Sequence, residues 1–157
     1  MRARFSRQTV IVKGRAIPLE DVGSPKEAMR RIVTVRFCEV LTQAPALKDA
    51  KPQPLHDLRI ACKRLRYTLE LFGDALRECR AAERALEGLQ QLLGDAHDCD
   101  ILLESAQRAG AVHLAKRVRR DRERSVRRAQ RLWLRSIDEH GAFASLIGLS
   151  GIGNAEG

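Results

Sequence analysis

Leu55, Leu58, Cys62, Leu65, Leu69, Phe72, Leu76 and Cys79 recur at alternating spacings of three and four, the period of a helix buried along one side. A seam of that length needs a core to lie against. One step around the same cylinder, His56, Arg59, Lys63 and Arg66 keep the same spacing, so their side chains rise in single file beside the seam. At a rise of about 1.5 Å per residue, Arg59 and Arg66 stand roughly 10 Å apart with Lys63 between them. Such a line suits an extended polyanion better than a compact ligand. A solvated face normally interleaves Glu and Lys, whereas between His56 and Arg66 the only acid is Asp57, which faces elsewhere. Glu70 closes the file. Like charges at this spacing repel by a few tenths of a kcal/mol per pair, and a bound anion converts that repulsion into attraction.

Three further segments carry helical periodicity. Ser24-Pro25-Lys26-Glu27 sets Ser at the N-cap, Pro at the first helical position and Glu three residues after the cap, which starts a first helix. Met29, Ile32, Val33, Arg36, Phe37, Val40 and Leu41 mark its inner side, and Ala44-Pro45 ends it. Residues 46–53 connect it to the helix just described, the second, which ends near Cys79 or Arg80. Ala85, Leu89, Leu92, Ala96, Cys99, Leu103 and Ala106 give a third seam, and its phase does not break at Gly94. One helix over about 82–108 is expected, with the glycine retained because another backbone approaches closely. After a turn at Ala109-Gly110, residues 112–138 read as a fourth helix with Leu114, Val118, Ser125, Ala129, Leu132 and Ile137 inward. The expected fold is all-α, an antiparallel four-helix bundle, with helices two and three as an αα-hairpin at its centre. Residues 1–23 form an N-terminal arm, with a short extended piece at Gln8 to Val12, ordered only where something holds it. Residues 139–157 form a Gly-rich C-terminal tail expected to fray.

The chain of 157 residues suits one domain, and its 29 Lys and Arg against 20 Asp and Glu leave a formal charge of +9. An anionic partner follows, and the excess of Arg over Lys favours phosphate, which a planar guanidinium grips with two parallel donors. One Trp, one Tyr and four Phe leave little for base stacking, which lowers the odds of single-stranded nucleic acid. Cys38, Cys62, Cys79 and Cys99 fall on or beside apolar seams without C-x-x-C spacing. They read as small buried hydrophobes in a reducing, cytoplasmic compartment. No apolar run reaches the length of a membrane span.

The segment H-D-L-R-I-A-C-K-R-L-R-Y at 56–67, followed by L-x-x-L-Q-x-L-L-G-D-A-H-D-C-D at 86–100, resembles the CHAD domain, the conserved histidine α-helical domain, over roughly residues 25–138. The resemblance implies an all-helical domain that binds inorganic polyphosphate through a basic groove and needs neither catalysis nor a cofactor. His56, Arg59, Lys63, Arg64 and Arg66 match the family's basic motif residue by residue. Members of that family typically hold two related bundles around the groove, whereas this chain has one copy of the pattern. Two chains pairing so that their stripes face each other, as a homodimer, would complete it.

His56, at the start of its helix, serves either the first-turn backbone or an anion. Tyr67 reads as packing. The run D-A-H-D-C-D at 95–100 invites a metal reading, but on one helix Cys99 turns inward and His97, with Asp100, faces away from Asp95. No metal site is assigned. Asp98 and Asp100 are expected instead to hold basic side chains of a neighbouring helix. On the fourth helix Arg117, Arg120, Arg124, Arg127, Arg128 and Arg131 repeat the geometry of the second-helix stripe, and from Lys116 to Arg135 only Asp121 and Glu123 are acidic. If helices two and four are neighbours, the two files flank a trough for a phosphate chain. No glycine-rich phosphate loop or nucleophile elbow appears, so the reading is a binding module for inorganic polyphosphate. Two other readings remain open: a protein that binds the RNA or DNA backbone, and a helical scaffold that docks an acidic protein partner.

Overall fold

A computed structural model describes residues 14–151, and the extended piece expected at Gln8 to Val12 lies outside them. The order of elements is α1 (Pro25–Gln43), α2 (Ala46–Asp49), α3 (Pro52–Phe72), a 3₁₀ segment (Gly73–Cys79), α4 (Arg80–Arg108), α5 (Val112–Ile137) and α6 (Ala144–Ser150). No strand occurs among the described residues. The fold is an all-α helical bundle, with α1, α3, α4 and α5 as its four long helices. The stripe-bearing second helix is α3, the third is α4 and the fourth is α5.

Local chemistry sets the helix ends. Ser24, extended at φ −156° and ψ 155°, accepts a hydrogen bond from the Glu27 backbone N–H, while the Glu27 carboxylate accepts from Gly23 N at 3.0 Å. Pro52 and Pro54 both fall in the first turn of α3, where no intrahelical N–H is required. They therefore open the helix, which was expected to start just after them. The connection before it is not featureless: α2 forms and is closed by Ala50 in the left-handed region, φ 53°. Two α5 side chains satisfy carbonyls there, Gln130 donating to Leu47 O and Arg122 to Ala50 O, both at 2.7 Å.

α3 stops at Gly73, φ 48°, seven residues short of the expected end. The apolar spacing continues through Leu76 and Cys79, both buried, but a 3₁₀ turn carries it, with Leu76 off helical geometry at φ −126° and ψ 38°. That break turns the chain into α4.

Each long helix packs on the next in sequence, and paired residues run in opposite directions: His56 meets His97 and Arg66 meets Gln90. α4 is the central element. Ala82, Ala85, Leu86, Leu89, Leu93 and Ala96 are all buried, an arc broad enough to face α3 and α5 at once. α5 uses Ala115, Val118, Val126, Ala129 and Ser136, so Leu114, expected inward, is 44% exposed. α2 packs on α3 and α5, and α6 packs on α1 and the 3₁₀ segment.

The tail expected to fray is held at residues 143–150. Phe143 is fully buried, edge-on to Phe37 at 5.8 Å and to Trp133 at 5.7 Å between ring centroids. Its N–H donates to Ser136 O at 2.8 Å, and a Cβ on Gly141 would collide with the carbonyls of Arg135 and Ser136. Only glycine lets the chain double back this tightly. α6 then lies on α1, where Arg30 donates to Leu149 O at 3.1 and 3.3 Å.

Residues 14–22 run along α1. Arg15 N donates to Glu39 at 2.6 Å, Arg36 donates to Arg15 O at 3.2 Å and to Glu39 at 2.9 Å, and Arg31 donates to Pro18 O at 3.1 Å. These contacts are what holds this part of the arm.

Candidate functional site

The stripe on α3 faces α4, and the two helices frame a polar groove of about 330 Å³. Arg59 and Arg66 line it from α3, while Glu87, Gln90, Gln91, Gly94, Asp95 and Asp98 line it from α4. Arg59 lies across Gly94: a Cβ there would sit 3.4 Å from its Nε. The glycine was expected to admit a backbone, and it admits a guanidinium instead. An alanine fits in ordinary contact, whereas a longer side chain displaces Arg59.

The Nε of Arg59 and the Nδ1 of His56 are both buried with no hydrogen-bond partner among the described residues. Buried polar atoms are nearly always paired, so two unpaired atoms on one helix face single out this place. His56 lies against His97, with ring centroids 4.9 Å apart. Burial, then the neighbouring His97, then Arg59 push the His56 pKa below its usual 6.5, with Asp57 opposing them. The fold thus favours neutral His56.

The sign of the pH effect follows. Protonation costs more in the folded than in the unfolded chain, so this contribution to stability is complete above pH 6.5. It declines as the pH falls through that value toward the lower folded pKa. Denaturant unfolding on either side of pH 6.5 is expected to show a loss on acidification that is smaller in His56→Gln.

Arg66 is fixed by Gln90 Oε1 at 3.1 Å and by an ion pair with Glu70. Its guanidinium carbon stands 4.7 Å from the centre of the Tyr67 ring, and Lys63 Nζ stands 5.5 Å from it. Tyr67 is 48% exposed. It is a platform under two cations, where packing was expected; its position four residues after Lys63 and next to Arg66 was the available signal. Gln90 and Gln91 were also missed, since neutral amides leave no mark in a charge pattern.

Other residues fall elsewhere. Arg64 is turned toward α1, where its guanidinium carbon and that of Arg36 would each lie 3.5 Å from a Cβ on Gly14. The fourth-helix file, Arg117, Arg120, Arg124, Arg127, Arg128 and Arg131, is exposed along α5, with Arg128 and Arg131 on its edge toward α4. α4 packs extensively on both α3 and α5 and separates the two files, so the expected trough between helices two and four does not form. The stripes repel each other, and the apolar arc of α4 takes the place between them.

Asp100 pairs with Arg122 of α5, which also reaches the Ala50 carbonyl. This is the bracing expected of Asp100, whereas Asp98 lines the groove. Among the described residues, no three His, Cys, Asp or Glu side chains converge as a metal site requires. Cys62 is fully buried, and burial pushes its thiol up to about 12, so it is an inert core residue. No helix among the described residues is long and apolar enough to cross a membrane.

The family model of the CHAD domain matches residues 6–107. The match begins inside the arm, earlier than the resemblance suggested, and ends with α4, so α5 lies outside it. No curated protein and no solved structure matches the chain. The α3 and α4 motifs that build the groove both lie inside the matched span, and the chain belongs to the CHAD domain family.

Proposed function

We propose that this domain binds inorganic polyphosphate, without catalysis, in the groove between α3 and α4. The observation that carries the reading is Arg59, half-buried over Gly94 with its Nε unpaired and followed along the same face by Lys63 and Arg66. A phosphate oxygen supplies the missing acceptor, and the charge-assisted bond is roughly twice as strong as a neutral one. Glu87, Asp95 and Asp98 sit on the α4 wall and keep the polymer on the α3 side, over Lys63 and Tyr67. Membership of a family associated with polyphosphate supports the same ligand. No aromatic ring lines the groove for bases to stack on, and the Tyr67 ring beside it already carries Lys63 and Arg66.

Titration with long-chain polyphosphate at physiological ionic strength tests the reading, with structured RNA competing at equal phosphate concentration. The expected result is binding that RNA leaves largely intact and that weakens steeply with salt. Binding that RNA abolishes at parity would make the domain a nucleic-acid binder. Absence of binding would favour an acidic protein partner. Phosphate beside His56 stabilises the imidazolium, so polyphosphate affinity is expected to rise as the pH falls below 6.5, and His56→Gln to flatten that rise.

A further inference from the structure

A second groove, of about 360 Å³, lies on the opposite flank of α4, against α5. Arg128, Arg131 and Arg135 line it with Gln91, and no carboxylate does. All three arginines are exposed, and none has an acidic partner among the described residues. Arg124 and Arg127, by contrast, pair with Asp121 and Glu123. Their spacing of three and four puts the three guanidinium groups on one edge of α5, facing α4. This groove is more positive than the α3–α4 groove, where two arginines face three carboxylates.

Gln91 lines both grooves. On the exposed ridge of α4 it is a neutral step: Glu87 lies one turn before it, and Asp95 and Asp98 lie one and two turns after. Its amide donates to Asp95 at 2.9 Å. An anion passing from one flank of α4 to the other meets a carboxylate on either side of that step and none at it. Packed helices lie about 8–10 Å apart, so the crossing is short for a flexible polymer and too long for a compact phosphate.

We infer that a polyphosphate chain held at Arg59 and Arg66 continues over α4 at Gln91 into the α4–α5 groove, where Arg128, Arg131 and Arg135 grip its further phosphates. This rests on the polyphosphate reading of the α3–α4 groove and adds to it a preference for long chains. The added part comes from α5, beyond the span that the family model matches.

Calorimetric titration of the full chain with triphosphate and with long-chain polyphosphate tests it, because only the long chain reaches both grooves. Three variants are compared: Arg128→Gln/Arg131→Gln/Arg135→Gln; Gln91→Glu, which closes the neutral step; and Arg117→Gln/Arg120→Gln/Arg124→Gln, which removes the same charge farther along α5. All seven positions are exposed, and retained helicity by circular dichroism verifies each fold. The first variant is expected to weaken long-chain binding by roughly tenfold or more while leaving triphosphate binding unchanged. Gln91→Glu, at a position that also lines the α3–α4 groove, is expected to weaken long-chain binding by a larger factor than triphosphate binding. The third is expected to weaken long-chain binding much less. Equal losses in the first and third variants would reduce α5 to a source of net charge and overturn the inference. So would long-chain affinity that is indifferent to the first two, even with both ligands bound at α3. If neither ligand binds the unaltered protein, the α3–α4 reading falls and this inference falls with it.

Discussion

The Arg59→Glu/Lys63→Glu/Arg66→Glu protein is expected to lose polyphosphate binding by roughly 10²–10⁴-fold at physiological salt. Each hydrogen bond to a charged group contributes about 1.5–3 kcal/mol, and one decade of affinity corresponds to 1.4 kcal/mol. Loss of about two such contacts therefore reaches that range before the repulsion of three new carboxylates is counted. Salt dependence gives a second readout. About 0.7 counterions are released per contact on a single-stranded polyanion, so the slope of log affinity against log salt is expected to flatten by about 2. Arg66 also holds Gln90 and Glu70, and Glu70 would face a new carboxylate. The matching Gln variant, with a smaller loss in the same direction, separates contact from repulsion. Unchanged affinity in both variants would place the ligand away from α3.

Phe143→Ala is expected to destabilise the domain by about 3–5 kcal/mol, the range for removing a buried phenyl ring. The side chain is fully buried and meets both Phe37 and Trp133 edge-on, an arrangement that adds to plain burial. For a chain of this size, each kcal/mol shifts the melting midpoint by about 2–4 °C, so a drop of roughly 10 °C is expected. Urea unfolding gives the free energy directly. Because the ring does not line the α3–α4 groove, polyphosphate affinity of the folded variant should stay unchanged. A loss below about 1 kcal/mol would show that the segment after α5 is an appendage of the fold.

The long helices were legible because periodicity reports a buried face directly, and α3 and α4 carry theirs almost without interruption. What periodicity does not report is the identity of the neighbour. The files on α3 and α5 share a charge and a spacing, which suggested a common trough. The decisive fact was the width of the apolar arc on α4, visible in Leu86 and Leu93 beside Leu89, which lets one helix separate two. Gly94 shows the same limit: an unbroken seam predicted that something would approach it, and geometry alone identified Arg59. The segment around Phe143 was misread because its glycines look like disorder, whereas Gly141 is the residue that permits its return. Tyr67 was expected to pack, and it packs half exposed beneath Lys63 and Arg66, a contact that an apolar seam does not report.

Phe143 meets Phe37 across 106 residues of sequence. At the usual pace of translation, about 5–20 residues per second, the α1 side of that contact leaves the ribosome roughly 5–20 s before its cover is synthesised. The α3–α4 and α4–α5 hairpins can pair as they emerge, through contacts close in sequence, while the aromatic face of α1 waits. During vectorial synthesis the uncovered phenyl ring is the natural place for a holding chaperone to engage. A nascent chain halted before α6 would therefore carry the α3–α4 groove largely assembled and still be prone to aggregate.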